Sequence, residues 1–423
     1  MVKKTKLADG LRLVTKVLPN TQSVTVLILV GAGSRYETKE INGISHFLEH
    51  MFFKGAEKYK NTKEVSEAID SVGGDFNAFT GKEYAGYYVK VAAEKLDVAL
   101  DVLSDMLINS KFDPAEIEKE RGVILEEYNM YQDTPMYQIG WDFEKLIFGD
   151  QPLGWDQVGT KELIGGVTQE QFLKYLHDLY TPDNTVIAVA GNFDEEKLTG
   201  DIEKLFKFPK ARLKKTYNFD EYKQIKGDQK VWLRDKKTEQ AHVVVGFPGY
   251  ADDSKMHYPA KLLGIILGGN MSSRMFLSVR EAQGLAYYIS ASTDDYKDTG
   301  IFSVNAGVSV ERIDQAITSI IAEFKTAAEG GVTEAELAKA KAYLKGKIVL
   351  RMEDSEEYSH FIGKYELLQG EKMDLEQVLA KIENVKLDEV NAVAKELFKE
   401  EELKLAVIGP YGDKERFEKL LKF

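Results

Sequence analysis

The sequence carries the same run of elements twice, and this internal repeat constrains the fold more than any single motif does. Residues 113–117 open a long helix, with a capping Asp followed by Pro, and residues 333–337 open a second one in the same way, with Thr as the cap. The apolar run 403–409 likewise repeats the run 185–191. The copies are offset by about 215 to 220 residues, which indicates a duplicated domain.

A chain of 423 residues is also too long for one ordinary hydrophobic core. We therefore predict an N-terminal domain over residues 1–208, a polar and basic linker over 209–227, and a homologous C-terminal domain over 228–423. The strand at residues 24–30 is apolar on both sides of its alternation, so both of its faces are expected to be covered. The fold class expected is α+β, with two homologous α/β domains that each hold a mostly antiparallel sheet and helices packed on one face.

The composition argues against several classes of protein. A net charge of −13 does not suit nucleic-acid binding, which needs a basic surface. Because the chain has no cysteine, it can form neither disulfides nor a thiolate metal site. No apolar run reaches signal-peptide or membrane-spanning length, so we expect a soluble, cytoplasmic protein, although a form that had lost a targeting segment would look the same.

The segment 43–55 contains two of the six histidines, His46 and His50, with Glu49 between them. On a helix these three positions share one face, because residues three and four apart are neighbours. Two imidazoles and a carboxylate are the groups that a catalytic zinc site needs, and H-x-x-E-H is a known catalytic pattern. The alternative is a pair of surface or core histidines. The apolar neighbours in the segment favour a buried site, where imidazoles and carboxylates need partners.

A third ligand is expected from the long helix that Asp113 caps, because a catalytic zinc normally has three protein ligands. Glu120 and Glu127 are seven residues apart and share a face, and the spacing does not choose between them. Glu126 is interpreted as a solvated surface residue. In the second half, Lys347 takes the place of Glu127, and the counterpart of the motif helix has neither His nor a carboxylate, so only the first half could hold a metal in this way.

These residues resemble the pitrilysin (M16) family of zinc metallopeptidases, the inverzincins, which include insulin-degrading enzyme and mitochondrial processing peptidase. The resemblance covers nearly the whole chain and is strongest at 46–55, 77–80 and 120–127. It implies a site in which one Zn²⁺ per chain is bound by a distal glutamate and two histidines, with a general base and a carboxylate partner beside them. By this resemblance His46, His50 and Glu127 bind the zinc ion. Glu49 is the general base, and Glu120 is the carboxylate partner.

The resemblance also implies how a substrate is held. Arg280 and Tyr287, seven residues apart, resemble the family's Arg/Tyr pair, which in relatives reaches the active site and supports substrate and transition state; the alternative is a packing role. The strand Asn77, Ala78, Phe79 and Thr80 resembles the family's edge strand, which pairs with an extended peptide through the main chain. The implied activity is that of a zinc metalloendopeptidase. Its substrates would be short or unfolded peptides, bound as an extended strand in a chamber between domains or subunits.

A chain with one two-domain unit resembles the shorter members of the family, which pair two units into a clamshell. The expected partner is a second copy of the chain or a non-catalytic homologue in a heterodimer. Two other classes of function remain open on this reading: a structural subunit like the respiratory-complex core proteins that resemble the family, and a metal-dependent hydrolase of something other than peptides.

Overall fold

A computed structural model describes residues 1–209, 217, 219–222 and 226–423 of the chain. The described residues form two compact units. The first comprises residues 1–129, 156–217 and 349–377, and the second comprises 130–155, 218–348 and 378–423. Most of the linker predicted at 209–227 lies outside the described residues.

The strands follow the predicted repeat and fall into two sheets. In chain order they are β1 (Lys3–Lys6), β2 (Arg12–Val17), β3 (Ser23–Val30), β4 (Asp75–Thr80), β5 (Ala85–Ala92), β6 (Thr185–Gly191), β7 (Val231–Asp235), β8 (Gln240–Gly249), β9 (Ala286–Asp295), β10 (Gly300–Ser309) and β11 (Lys404–Gly409). The first sheet has the order β1-β2-β6-β3-β5-β4 and the second β7-β11-β8-β10-β9. Each sheet is antiparallel apart from one parallel pair, β2 with β6 and β7 with β11, as the fold class predicts.

The helices repeat in the same way, and the two whose caps the sequence predicts, at Asp113 and Thr333, each begin one residue after the cap. In chain order they are α1 (Ile44–Met51), α2 (Thr62–Asp70), α3 (Leu96–Ile108), α4 (Pro114–Asp133), α5 (Pro135–Phe148), α6 (Lys161–Gly166), α7 (Gln169–Leu179), α8 (Glu195–Leu205), α9 (His257–Gly268), α10 (Ile313–Gly330), α11 (Glu334–Arg351), α12 (Ser355–Gln369), α13 (Leu375–Glu383), α14 (Leu387–Leu397) and α15 (Lys414–Glu418). In the part of the chain that the structure describes, no helix combines the length and the apolar composition that crossing a bilayer requires.

Each sheet is covered by a helix that comes from the other half of the sequence. In the first unit, Tyr358 and Ile362 of α12 pack on Leu27, Leu29 and neighbouring apolar residues of the sheet. In the second unit, α5 packs in the same manner on strands β8 and β11. The division of the sequence at a central linker does not foresee this exchange, because the apolar stripe of a helix does not reveal which sheet it will cover.

The exchange explains why both faces of strand β3 are apolar. Leu27 and Leu29 face α12, while Val26 and Ile28 point to the opposite face and are equally inaccessible to solvent. Helix α3 contacts both β3 and β5. The prediction that both faces of this strand are covered is thus confirmed, and each sheet gains one helix beyond the layer expected on a single face.

Candidate metal centre

Helix α1 is fixed at its first turn by a buried carboxylate. Glu37 accepts hydrogen bonds from the backbone N–H groups of Gly43 and Ser45, at 2.8 Å each, and from the Ser45 hydroxyl at 2.5 Å. These are amides that a helix N-terminus otherwise leaves without partners, and a carboxylate there also suits the helix dipole. Burial raises the pKa of Glu37, although the hydrogen bonds from Ser45, Gly43 and Asn42 oppose that rise.

The apolar residues of α1 set the direction in which its polar residues point. Ile44, Phe47, Leu48 and Met51 are at most 1% exposed, so the rotation of the helix about its axis is determined by the core. The positive φ of Gly43, 95°, belongs to the left-handed region, and a Cβ there would lie 2.3 Å from the Val158 carbonyl oxygen. The motif histidines and carboxylate therefore emerge together on the remaining face.

Helix α4 presents two carboxylates to α1. Asp113 accepts a hydrogen bond from the Ala115 backbone N–H at 2.8 Å, which caps the first turn as predicted. Ile117 and Ile124 are buried, and because they are two turns apart they anchor a single stripe of α4. Glu120 and Glu127 share the same two-turn spacing, and both reach the histidines of α1.

His46, His50 and Glu127 converge on one point. The distance from His46 Nε2 to Glu127 Oε1 is 3.5 Å, and that from His50 Nε2 to Glu127 Oε2 is 3.3 Å. Ligand atoms about 2.0–2.1 Å from a tetrahedral zinc ion lie about 3.3–3.4 Å from one another. Two imidazole nitrogens and one carboxylate are also a donor set of catalytic zinc sites, in which the fourth position stays open. The residues present therefore fit a zinc ion.

Glu120 contacts His50 rather than the point of convergence. Its Oε1 lies 2.8 Å from His50 Nδ1, and its Oε2 lies 2.5 Å from Lys54 Nζ. A carboxylate that accepts the Nδ1 proton fixes the tautomer in which Nε2 has a free lone pair for a metal. The spacing in the sequence left Glu120 and Glu127 undecided because both share a face, and only the family resemblance assigned Glu127 as the ligand. The geometry separates them, since each carboxylate faces a different nitrogen of the same ring.

The carboxylates dominate the electrostatics of the centre. Burial alone would lower the pKa of His50, but the hydrogen bonds with Glu120 and Glu127 outweigh burial and raise it to about 9. Burial would likewise raise the pKa of Glu127, yet hydrogen bonds with His46 and His50 hold it well below its usual range. The negative charge that these groups concentrate is what a divalent cation would compensate.

Glu49 lies beside the ligand trio and is held by a residue of strand β4. The Thr80 hydroxyl donates to Glu49 Oε2 at 2.6 Å. The Gln157 side-chain amide in turn donates to the Thr80 carbonyl oxygen. Sequence reasoning assigned Thr80 to the substrate strand and did not consider Gln157. A polar residue in a loop gives no sign of such a contact, because only the fold brings it to the end of β4.

Strand β4 lies at the end of the strand order of its sheet, as the edge-strand prediction requires. The Gly81 N–H donates to the Tyr84 carbonyl oxygen, so this pair is a hydrogen-bonded pair of the hairpin. In an antiparallel ladder such pairs alternate with pairs that are not hydrogen-bonded, so Phe76, Ala78 and Thr80 direct their main-chain groups away from β5. The Ala78 N–H donates a hydrogen bond to the Asn77 side-chain oxygen Oδ1 at 2.9 Å. Phe79, by contrast, packs its ring 5.1 Å from that of His360. Within the predicted segment, Ala78 and Thr80 therefore direct their main-chain groups to the edge of the sheet, whereas those of Asn77 and Phe79 face β5.

The other two predicted site residues, Arg280 and Tyr287, lie in the second unit. The Arg280 guanidinium lies 4.6 Å from the centre of the Phe276 ring, in the helical segment Phe276–Glu281. Tyr287 is 73% exposed near the start of β9. Their part in a reaction stays a prediction.

Comparison with known proteins covers nearly the whole chain. Residues 12–145 match the family described as Insulinase (Peptidase family M16), and residues 166–344 match the one described as Peptidase M16 inactive domain. An uncharacterized zinc protease of Bacillus subtilis, YmxG, is 39% identical over 98% of this chain and 99% of its own length. One from Streptomyces coelicolor, SCO5738, is 38% identical over 98% and 91%. A crystal structure of a protease from Helicobacter pylori has a TM-score of 0.89 at 23% identity and covers 97% of this chain and 99% of its own, which shows a shared fold.

Proposed function

The chain belongs to the M16 family of peptidases, and from that premise we propose that it is a zinc-dependent endopeptidase that cleaves short or unfolded peptides. One observation carries the proposal: His46, His50 and Glu127 bring their ligand atoms within 4.8 Å of one another. Nothing in the fold of the first unit requires these groups to meet, since two imidazoles and a carboxylate add no apolar contact to its core.

In the proposed reaction the three residues hold the ion and Glu49 moves the proton. When bound, zinc supplies Lewis-acid chemistry, lowering the pKa of a water molecule towards ~7 and polarising a carbonyl group. Glu49 accepts the proton of the attacking water and delivers it to the amine that leaves. The Thr80 hydroxyl, at 2.6 Å from Glu49 Oε2, holds one carboxylate oxygen so that the other can face the water.

The substrate would lie along strand β4. An extended peptide can pair with the main-chain groups of Phe76 and Ala78 and thereby lengthen the sheet by one strand, while the Thr80 carbonyl keeps its hydrogen bond from Gln157. Such a peptide has to take the place of the Asn77 side chain at the Ala78 N–H. Main-chain pairing reads little sequence, so this mode of binding selects for unfolded chains rather than for a residue type. The enclosing chamber of the family stays a prediction.

Two further parts of the proposal rest on the family resemblance alone. We carry forward Arg280 and Tyr287 as residues that support the substrate and the transition state. We also carry forward pairing of the chain with a second copy or with a non-catalytic homologue, which the molecular mass in solution would test.

Peptide turnover tests the central proposal. Purified protein loaded with zinc should cleave an unstructured peptide with a quenched fluorophore, and chelation should stop the cleavage until zinc is restored. Glu49→Gln should retain zinc but lose turnover by about 10²-fold or more, because the proton acceptor is gone. His50→Ala should lose both zinc and turnover. Glu126→Gln, on the same helix as Glu127 but exposed, is the matched control and should change neither.

The outcomes separate the alternatives. Zinc-loaded protein that leaves every peptide intact would favour a structural subunit or a hydrolase of another substrate class. Loss of the metal in Glu49→Gln would contradict its assignment as the base, since a residue outside the ligand set should not control binding.

A further inference from the structure

The second unit contains another group of metal-ligating side chains, at positions that do not correspond to the first centre. Asp252, His257 and Asp295 each direct one ligand atom into a region where these atoms lie within 4.8 Å of one another. His257 Nδ1 is 3.4 Å from Asp295 Oδ2 and 3.9 Å from Asp252 Oδ1. Ligand atoms around a tetrahedral divalent ion lie about 3.3 Å apart, so shifts of a few tenths of an ångström would complete the site.

The three side chains of this group are largely withdrawn from solvent. Those of Asp252, His257 and Asp295 are 13%, 9% and 9% exposed. Carboxylates held close together away from water repel each other and lose hydration. A divalent cation would balance both charges and bind a neutral imidazole at the same time.

A neighbouring lysine is too loosely held to replace a bound cation. Lys261 Nζ lies 3.7 Å from Asp295 Oδ2, and its side chain is 40% exposed. This ammonium group carries a single charge, and the atom it approaches is an oxygen of Asp295. Because its side chain is long and reaches solvent, it can withdraw from Asp295 when another cation binds.

The duplication indicates that the fold itself does not require two of these residues. The hairpin bond from Tyr296 N–H to the Thr299 carbonyl corresponds to that from Gly81 to Tyr84, an offset of 215 residues (296 − 81). At that offset, Asp295 corresponds to Thr80.

The offset is larger in the strands that precede the helices. Gly249, which pairs with Gly300, corresponds to Val30, which pairs with Ala85, and this offset is 219 residues (249 − 30). Asp252, three residues after Gly249, therefore corresponds to Gly33.

The first copy has no carboxylate at either of these two places. Gly33 has no side chain, and the Thr80 hydroxyl donates to Glu49 Oε2 at 2.6 Å. The second copy holds a carboxylate at both places, next to the imidazole of His257, and these groups are ligands for a divalent metal.

We propose that Asp252, His257 and Asp295 form a second divalent-cation site, separate from the proposed catalytic centre. A mixed set of one nitrogen and two oxygens suits a first-row divalent ion, with Zn²⁺ as the best match and Mn²⁺ as the next. The ion would connect the segment before α9, the first residue of α9 and the last residue of β9. Its role is to brace these three segments, because one ion would tie a loop, a helix and a strand together.

Counting metal ions tests the inference on the full-length chain. After removal of metal by chelation, isothermal titration with Zn²⁺ should give two equivalents for the wild-type protein and one for His50→Ala. Adding Asp295→Asn to His50→Ala should abolish the remaining equivalent. Asp294→Asn is the matched control, because its side chain points to the other face of the strand, and it should leave the equivalent in place.

A second variant guards against misfolding. His257→Asn replaces the imidazole with a smaller polar side chain that can still form hydrogen bonds, so the fold should accept it. It should weaken Zn²⁺ binding in the His50→Ala background by at least tenfold while leaving the circular-dichroism spectrum unchanged. The same titrations with Mn²⁺ show which ion the site prefers.

The outcomes distinguish this site from the proposed catalytic one. If His50→Ala binds no Zn²⁺ or Mn²⁺, or if its remaining equivalent survives both Asp295→Asn and His257→Asn, the second site does not exist. If the wild-type protein binds a single ion that His50→Ala keeps and Asp295→Asn loses, the second site is supported and the proposed catalytic centre fails. Asp295→Asn alone should keep peptide turnover within about twofold of wild type, because the bracing ion takes no part in the reaction.

Discussion

Replacement of Glu120 by Gln should weaken zinc binding although Glu120 is not expected to touch the ion. Glu120 is 5% exposed, and its two oxygens are both engaged, one by His50 Nδ1 at 2.8 Å and the other by Lys54 Nζ at 2.5 Å. In Gln one of these oxygens becomes an NH₂ group, which can only donate. If the amide oxygen stays with His50, the NH₂ group faces the Lys54 ammonium, and if the amide turns over, it faces the Nδ1 proton.

The size of the effect follows from these contacts. The partner that orients a metal-bound histidine is typically worth 10–100-fold in metal affinity, or about 1.4–2.7 kcal/mol. We expect the upper part of this range, because either orientation of the amide leaves one buried donor facing another. Glu127→Gln should cost more, since it replaces a direct ligand. Glu126→Gln should change the affinity by less than about twofold, because its side chain is exposed.

Competition with a chromogenic chelator measures the three affinities under the same conditions. Peptide turnover at saturating zinc provides a second measurement, and there Glu120→Gln should lose less than about tenfold, because the occupied site keeps its three ligands. Circular dichroism and thermal unfolding of the metal-free proteins control for folding. Equal zinc affinities for Glu120→Gln and Glu126→Gln would show that the hydrogen bond to His50 does not orient the ring, and the inferred role of Glu120 would be wrong.

Three further substitutions test other parts of the structure. Thr80→Val removes the hydroxyl that donates to Glu49, so kcat should fall about 10-fold or more with zinc content unchanged, measured by steady-state kinetics and metal analysis. The hydrogen bonds from Arg274 lower the pKa of Glu336 to about 2 from 4.5. Because the pKa of Glu336 is lower in the folded state, the stability that Glu336 adds is complete above about pH 4.5 and is lost as the pH falls towards 2. Since the side chain is partly exposed, Glu336→Gln should lower the free energy of unfolding in urea by only about 1–2 kcal/mol at pH 7, and it should have no effect near pH 2. Gly363→Leu should cost about 1–3 kcal/mol or more in the same assay, because a Cβ at Gly363 already lies 2.8 Å from a methyl carbon of Leu29; an unchanged stability would contradict the packing of α12 on the first sheet.

The features that sequence predicted well are those that depend on neighbours along one helix. His46, Glu49 and His50 had to share a face once the segment was helical, and the structure has them so. The choice between Glu120 and Glu127 could not be made in this way, because residues two turns apart are equivalent by periodicity. It depends on the position of α4 along its axis relative to α1, and tertiary packing determines that position.

The exchanged helices show the same limit at the level of the fold. The amphipathic pattern of α12 identifies Tyr358 and Ile362 as residues that will be buried, and they are. It contains nothing that distinguishes the sheet of its own half from that of the other half, since both sheets are apolar and similarly built. Gln157 was missed for a related reason, because its partner is a main-chain carbonyl, which has no signature in the sequence.

The duplicated scaffold offers a polar position at the end of a hairpin, and the two copies fill it differently. In the first copy, Thr80 at the hairpin end contacts Glu49, and the ligands come from the helices. In the second copy, Asp295 at the corresponding position joins His257 instead. Because this position tolerates either a hydroxyl or a carboxylate, folding does not determine the residue there. The residue found in each copy therefore indicates the function of that copy. On this reasoning the second copy lacks the equivalents of His46 and His50 on α9, the counterpart of α1, and uses Asp295 together with Asp252 and His257 in the proposed cation site instead.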